Sequence, residues 1–283
     1  MAPSKFAGFL LLLSISGAVR VSGTSFFDQN YRIKWGYDHA ARFDNGQEVQ
    51  LSMDASSGSG FESKKSYGFG FFDMEIKLPG TNSAGVVTTF YLISLEGDRH
   101  DEMDFEFLGN REGKPITLQT NVYADGVGDR EQRILLWFDP TADFHSYKIL
   151  WNDHQIVFYV DDIPIRVFKN NTRIGVPYPA RPMQIEASLW NGDDWATDGS
   201  RTKIDWRYAP FRARYRGFDI SGCESWGHDA RGCDSPAYWW NSPEHWALDE
   251  AQERRLEDVR KSYMNYDYCA DRSRHPVPPP ECL

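Results

Sequence analysis

The sequence predicts an all-β sandwich or jelly roll carrying a small cysteine-bearing extension at its C-terminal end. Three features predict it. Short segments of alternating polar and apolar residues follow one another from about residue 47 to 219, with turn residues between most of them. Hydrophobic residues make up 41% of the 283, enough for one large core, and all-β units of this size commonly form a single domain. All four cysteines, Cys223, Cys233, Cys269 and Cys282, fall in the last quarter, where the alternation has stopped.

The first element is not part of the fold. Lys5 precedes the apolar run Phe6 to Ile15, and Val21-Ser22-Gly23 supplies small or neutral residues at its end. Residues 1–23 therefore read as a secretory signal peptide, too short to span a membrane. No later segment reaches about 18 apolar residues, so no membrane anchor is expected. The β domain is expected over 24–219. In it, Glu48 to Met53 and Tyr67 to Lys77 alternate, and further strands fall at 84–95, 102–109, 116–123, 133–138, 146–151, 155–160, 163–168 and 183–190. Pro79-Gly80 and Asp161-Asp162 are typical of the turns between them.

Residues 220–283 form the extension. Ser242-Pro243-Glu244 offers a helix N-cap, a proline at the first helical position and an early acid. From Asp249 to Met264 the sequence is charged with a helical period, and Leu256, Val259 and Tyr263 share one face. That is the pattern of an amphipathic helix packed on the sandwich. Pro276 to Pro280 reads as an extended tail ending at Cys282. An even cysteine count in a secreted chain favours two disulfides. Three pairings are open; the local one, Cys223–Cys233 with Cys269–Cys282, is preferred because it closes two short loops. A zinc site is the rival, but the spacings are wrong for paired CxxC ligands.

Charge narrows the function classes. The formal net charge is −10, and loss of residues 1–23 removes Lys5 and Arg20 but no acid, giving −12 (−10 − 2). An acidic surface argues against nucleic acid and anionic polymers as partners. A neutral polysaccharide is indifferent to it. The ten tryptophans fit a core, and aromatic faces also stack on the apolar faces of sugars.

The chemistry lies in His100-Asp101-Glu102-Met103-Asp104-Phe105-Glu106-Phe107. On a strand, Glu102, Asp104 and Glu106 share one face, and Met103, Phe105 and Phe107 share the face that enters the core. Three neighbouring carboxylates repel, so their pKa values are pushed apart. Separated values are what acid–base chemistry on two carboxyls requires. A solvated sheet face or a calcium site would also explain alternating acids. The apolar alternation and aromatic surroundings favour catalysis. A retaining glycosidase needs its carboxyls about 5–5.5 Å apart and an inverting one about 6.5–9.5 Å. Four residues of strand separate Cα atoms by roughly 13 Å, a gap that two inward-leaning Glu side chains largely close. The spacing permits retention without proving it.

The segment His100 to Asn110 closely resembles the signature of plant xyloglucan endotransglucosylase/hydrolases, in glycoside hydrolase family 16. Leu136 to His145, Ser188 to Thr197 and Pro279-Pro280-Glu281-Cys282 also resemble that family, so the likeness spans the mature chain. It implies a concanavalin-type β-jelly-roll sandwich with an open cleft. It implies Glu102 as nucleophile, Glu106 as general acid then base, and Asp104 between them. Gln119, Thr120 and Asn121 would line the donor side, and Asp129, Arg130 and Glu131 match a motif that contacts sugar. Asp194, Trp195 and Gly199 would form acceptor subsites beside Trp190, with Arg274 at the far acceptor end. Met103 stands where the family more often has Ile or Leu, a change that keeps the core face apolar. Asn110-Arg111-Glu112 is not the sequon often found there; Asn170, in Asn170-Asn171-Thr172, is the sole glycosylation candidate.

The expected activity is thus cleavage of the xyloglucan backbone and transfer of the new end to a xyloglucan chain or oligosaccharide, in the cell wall or apoplast. No cofactor, metal, nucleic acid or membrane partner is called for, and a monomer is expected. A predominantly hydrolytic enzyme is the nearest alternative. The resemblance favours transfer, because hydrolytic members carry a longer loop near 191–201. A lectin-like module is the alternative of another class. It has no need of three carboxylates in its cleft.

Overall fold

The computed structural model describes residues 25–94, 97–225, 230 and 232–283. Residues 1–23, read above as a signal peptide, lie outside them. After a short helix α1 (Phe27–Asn30), the strands in chain order are β1 (Tyr31–Trp35), β2 (Ala40–Phe43), β3 (Glu48–Met53), β4 (Ser59–Ser63), β5 (Tyr67–Lys77), β6 (Val86–Ile93), β7 (Glu102–Leu108), β8 (Thr117–Tyr123), β9 (Gln132–Leu135), β10 (His145–Trp151), β11 (Gln155–Val160), β12 (Ile163–Lys169), β13 (Gln184–Asn191), β14 (Phe211–Arg216) and β15 (Ser221–Glu224). Helix α2 (Glu250–Ser262) and β16 (Met264–Asp267) follow.

The strands form two antiparallel sheets, a β-sandwich as the alternation predicted. The first sheet runs β1-β4-β13-β6-β7-β8-β9-β16, and the second runs β12-β11-β10-β5-β14-β3-β2, with β15 also paired to β5. Strand alternation sends one side chain of each pair between the sheets. From β7 these are Met103, Phe105 and Phe107, all essentially fully buried. Phe105 stacks on Phe90 at 6.1 Å and meets Phe158 of the second sheet edge-on at 5.2 Å. Each buried aromatic of this kind stabilises the fold by about 1.5–3 kcal/mol.

Both disulfides have the local pairing, Cys223–Cys233 and Cys269–Cys282. The helix is present, but its cap differs from the expectation. Ser242 precedes only a short 3₁₀ turn, Pro243–His245. Asp249 caps α2, accepting from the backbone N–H of Ala251 and Gln252, while the Gln252 side chain accepts from the Asp249 N–H. Val259 is buried, Leu256 half-buried, and α2 packs against β12. Several strands escaped the alternation pattern, above all β16. It pairs with β9 and carries the first sheet out into the last 20 residues of the chain.

Candidate active site

The outer face of the first sheet is built by cross-strand register. Beside β7, Tyr91 of β6 lies opposite Asp104, and Asn121 of β8 lies opposite it on the other side. One register pair along, Thr89, Glu106, Gln119, Arg133 and Tyr266 form a row from β6 to β16. Glu102, Asp104 and Glu106 share this face, as their parity requires.

The three carboxyls are in different electrostatic states. Asp104 is buried, and its carboxyl is pushed well above the usual range by burial, then by the charge of Glu102, a hydrogen bond to it, and the charge of Glu106; Arg166 opposes the shift. Asp104 and Glu102 share a hydrogen bond, and the surroundings of Asp104 favour its protonated form. Glu106 is pushed up to about 7, chiefly by burial, with the charges of Glu102 and Glu131 adding to it. Gln119 and Arg133 oppose that rise. The Gln119 Nε2 donates to Glu106 Oε2 at 2.6 Å, and Arg133 Nε donates to Gln119 Oε1 at 2.6 Å. The Arg133 guanidinium lies 5.3 Å from the centre of the Tyr266 ring. Glu102 meets His100, whose Nε2 lies 3.0 Å from its Oε2.

On the other side of β7 the polar groups compensate one another. The Tyr91 hydroxyl donates to Glu186 Oε2 at 2.8 Å. Lys34 bridges Glu186 at 2.5 Å and Glu62 at 3.2 Å, and Arg32 pairs with Glu62 at 2.6 Å. Trp35 lies over Gly60, where an added Cβ would come 2.6 Å from the indole nitrogen.

The remaining candidates divide. Gln119 and Asn121 face outward beside β7, but Thr120 does not reach that face. Alternation turns it into the core, where its hydroxyl and carbonyl accept from Arg166 Nη1 at 3.0 and 2.8 Å. Arg130 is also turned inward: it is buried, and its Nε donates to Glu281 Oε1 at 2.7 Å, tying the C-terminal tail to the sandwich. Gln119, expected on the donor side, lies on β8 between Glu106 and Arg133. Asp129, Glu131 and Arg274 do come together: Arg274 donates to Glu131 at 2.6 Å and to Asp129.

Trp190 and Trp195 pack on Val87, Leu108 and Ala196, their rings 6.1 Å apart. Asp194 is fully exposed, 3.7 Å from Lys203. A cavity of about 430 Å³ opens between these elements, lined by Leu108, Arg133, Trp195, Gly199, Asn265 and Tyr266 among others. Its tryptophan loop is held in place: Thr197 Oγ1 donates to the Gly109 carbonyl at 2.8 Å, and Arg111 pairs with Asp198 at 2.5 Å.

Sequence reasoning missed Arg133, Tyr266, Tyr91, Glu186 and Trp35. Tyr91 and Glu186 carried a usable signal, since each is a polar break in an apolar strand. Arg133 and Tyr266 carried none, because their partners are set by cross-strand register.

The chain matches two family models: "Glycosyl hydrolases family 16" over residues 27–208 and "Xyloglucan endo-transglycosylase (XET) C-terminus" over residues 234–282. It is 57% identical to xyloglucan endotransglucosylase/hydrolase protein 2 of Arabidopsis thaliana, over 96% of this chain and 94% of that one. It is 54% identical to xyloglucan endotransglucosylase protein 2 of Diospyros kaki, over 90% and 87%. Among solved structures, the Bacillus licheniformis β-glucanase superposes with a TM-score of 0.55 at 25% identity, covering 69% of this chain and 92% of its own. The Crh5 transglycosylase shares the fold at TM-score 0.57 and 22% identity, over 71% and 81%. A sandwich of this architecture, three carboxyls on one strand face and both matched regions place the chain in glycoside hydrolase family 16, among the xyloglucan endotransglucosylase/hydrolases.

Proposed function

We infer that this protein cleaves the β-1,4-glucan backbone of xyloglucan with retention and transfers the new end to another xyloglucan chain. The observation that carries the reading is the outer face of β7, where Asp104, its carboxyl pushed well above the usual range, stands between Glu102 and Glu106, whose carboxyl is pushed up to about 7. A Glu102 carboxylate oxygen attacks the anomeric carbon as the bond to the leaving oxygen breaks, and Glu106 gives that oxygen its proton. Glu106, now a carboxylate, takes the proton of an acceptor hydroxyl. That oxygen bonds to the anomeric carbon and the ester to Glu102 breaks. Asp104 donates to Glu102 and holds its rotamer.

The same geometry supports an acceptor side. Glu106 must touch both the leaving and the incoming oxygen, and its Gln119–Arg133 chain leads into the cavity beside Trp195, Gly199 and Tyr266. The leaving chain and its replacement occupy that side, with Arg274 beyond. Water at about 55 M loses because a preorganised site gives the bound sugar a higher effective concentration and the correct orientation. The enzyme reaches its polymer by secretion to the wall through the segment 1–23. No helix among the described residues is long and apolar enough to cross a membrane. Asn170 is the proposed glycan site; its Nδ2 lies on an exposed turn and donates to the Asp153 carbonyl at 2.7 Å.

Incubation with xyloglucan, with and without a labelled xyloglucan oligosaccharide, tests the reading. Label entering polymer faster than reducing ends appear is the result expected. Reducing ends without incorporated label would make the enzyme a hydrolase.

A further inference from the structure

His100 opens the acidic segment, yet the reaction as derived gives it no part. It belongs to the connection that leads into β7, and its backbone is fixed: its N–H donates to the Gly97 carbonyl at 3.2 Å, and its carbonyl accepts from Gly126 N at 2.8 Å. Gly126 has φ +79°, and a Cβ there would come 2.0 Å from the Asp98 carbonyl, so the chain closes under this turn only with glycine. The imidazole is largely buried against the Tyr123 ring, 5.1 Å between centres.

Both ring nitrogens face oxygen. Nδ1 lies 2.8 Å from the Gly97 carbonyl, which can only accept, so Nδ1 carries a proton. Nε2 lies 3.0 Å from Glu102 Oε2. In the neutral ring that nitrogen has a bare lone pair aimed at a carboxylate oxygen, and the two repel. The contact is a hydrogen bond to a carboxylate only when Nε2 is also protonated. A nucleophile must be a carboxylate to attack, so the two requirements meet in one state: imidazolium beside ionised Glu102.

We propose that His100, as its imidazolium, is a positioning residue for Glu102, fixing the carboxylate in the rotamer that attacks and releasing it when the ring loses its second proton. This rests on Glu102 being the nucleophile. Glu102 is then held from two sides, by the Asp104 hydroxyl and by His100 Nε2–H. The other titratable and charged groups nearby are Tyr123 on β8 and, further along the same face of β7, Asp104. In its own turn, Arg99 is bound to Asp125 at 2.8 Å, and Asp98 is exposed. Asp101 points away, to Arg181 at 3.0 Å.

The test uses a xyloglucan oligosaccharide with a nitrophenolate leaving group, which departs without a proton and so takes Glu106 out of the first step. The rate of nitrophenolate release in the first turnover is measured against pH. In the wild type it falls roughly tenfold on the alkaline side, the effect of losing one well-placed hydrogen bond. His100→Gln keeps an N–H donor that does not titrate, and its rate shows no alkaline fall. His100→Phe has no donor and is slower at every pH, also without a fall. A flat wild-type profile, or the same fall in His100→Gln, overturns the proposal. The wild type also gives an answer without any variant: ¹⁵N spectra of the histidine rings should show both His100 nitrogens protonated at the pH of maximal rate. A ring protonated on Nδ1 alone at that pH overturns it. Peptide mapping of the trapped ester keeps the two questions apart, because an ester on a residue other than Glu102 refutes the nucleophile assignment whatever the pH profile.

Discussion

The first sheet is finished in two different ways on the two sides of β7. On the side of β6, β13, β4 and β1, the jelly roll is self-sufficient. Its buried carboxylates, Glu186 and Glu62, are matched by Lys34, Arg32 and the Tyr91 hydroxyl, all from the first 91 residues. On the side of β8 and β9, the outer strand comes from the C-terminal extension. Tyr266 supports Arg133, and Arg274 is bound to Asp129 and Glu131. The two arms therefore differ in what they depend on. Bond cleavage needs β7 and its immediate partners. On the proposed mechanism, holding an acceptor draws on a segment that arrives about 130 residues after β9 and is kept there by Cys269–Cys282 and the buried Arg130–Glu281 pair.

The largest effects should come from β7 itself, where the arms meet. Glu102→Ala should lower both transfer and hydrolysis at least roughly a thousandfold with the fold intact, since no other group is placed to form the ester. Turnover within a few fold of wild type would remove Glu102 from the mechanism.

The next effect separates the arms. Replacing Cys269 and Cys282 by serine frees the loop that carries Arg274. A disulfide of this span contributes about 2–4 kcal/mol to stability. The acceptor half-saturation should rise about tenfold, the loss of roughly one ion pair's worth of binding, while formation of the glycosyl-enzyme changes little. Equal losses in both steps would mean that the extension serves the whole fold and not one arm.

Trp195→Ala probes the same arm from the jelly-roll side. Loss of one stacked ring costs roughly 1–3 kcal/mol, or about five- to a hundred-fold in acceptor affinity. The hydrolysis-to-transfer ratio should rise with it. An unchanged acceptor dependence would make Trp195 a packing residue against Trp190.

Much of this was legible in the sequence because strand parity is a local property. The segments 102–109, 116–123 and 155–160 were found nearly to the residue, and parity alone put Glu102, Asp104 and Glu106 on one face. The same rule shows why Thr120 fails as a cleft residue: it sits between Gln119 and Asn121, and cannot share their face. Arg130 was expected as a sugar contact because it shares a family motif with Asp129 and Glu131; its burial by Glu281 depends on where the tail docks, a contact spanning 151 positions. Strand β16 was hidden because Met264-Asn265-Tyr266-Asp267 is short and follows a strongly helical pattern. Only its pairing with β9 makes it a strand.

The smallest effect concerns stability. Glu106 is raised from an ordinary 4.5 to about 7, so the folded protein binds its proton more tightly than the unfolded chain does. That stabilising contribution is complete below about 4.5 and is lost as pH rises through about 7. Glu106→Gln has no such proton to lose. Its stability relative to wild type should therefore grow by up to roughly 3 kcal/mol between pH 4.5 and 8, read as a difference in denaturant midpoints. Parallel pH dependences would show that Glu106 ionises freely in the native state.

The division of labour between Glu102 and Glu106 is tested most directly by the anomer formed when azide rescues each variant on an activated donor. Glu106→Ala still forms the ester to Glu102, so azide displaces it and the product is the β-glycosyl azide. In Glu102→Ala, azide takes the place of the missing carboxylate and attacks the donor itself, and the product is the α-glycosyl azide. The opposite pair of anomers would exchange the two roles, and with them the side of β7 on which the acceptor is held.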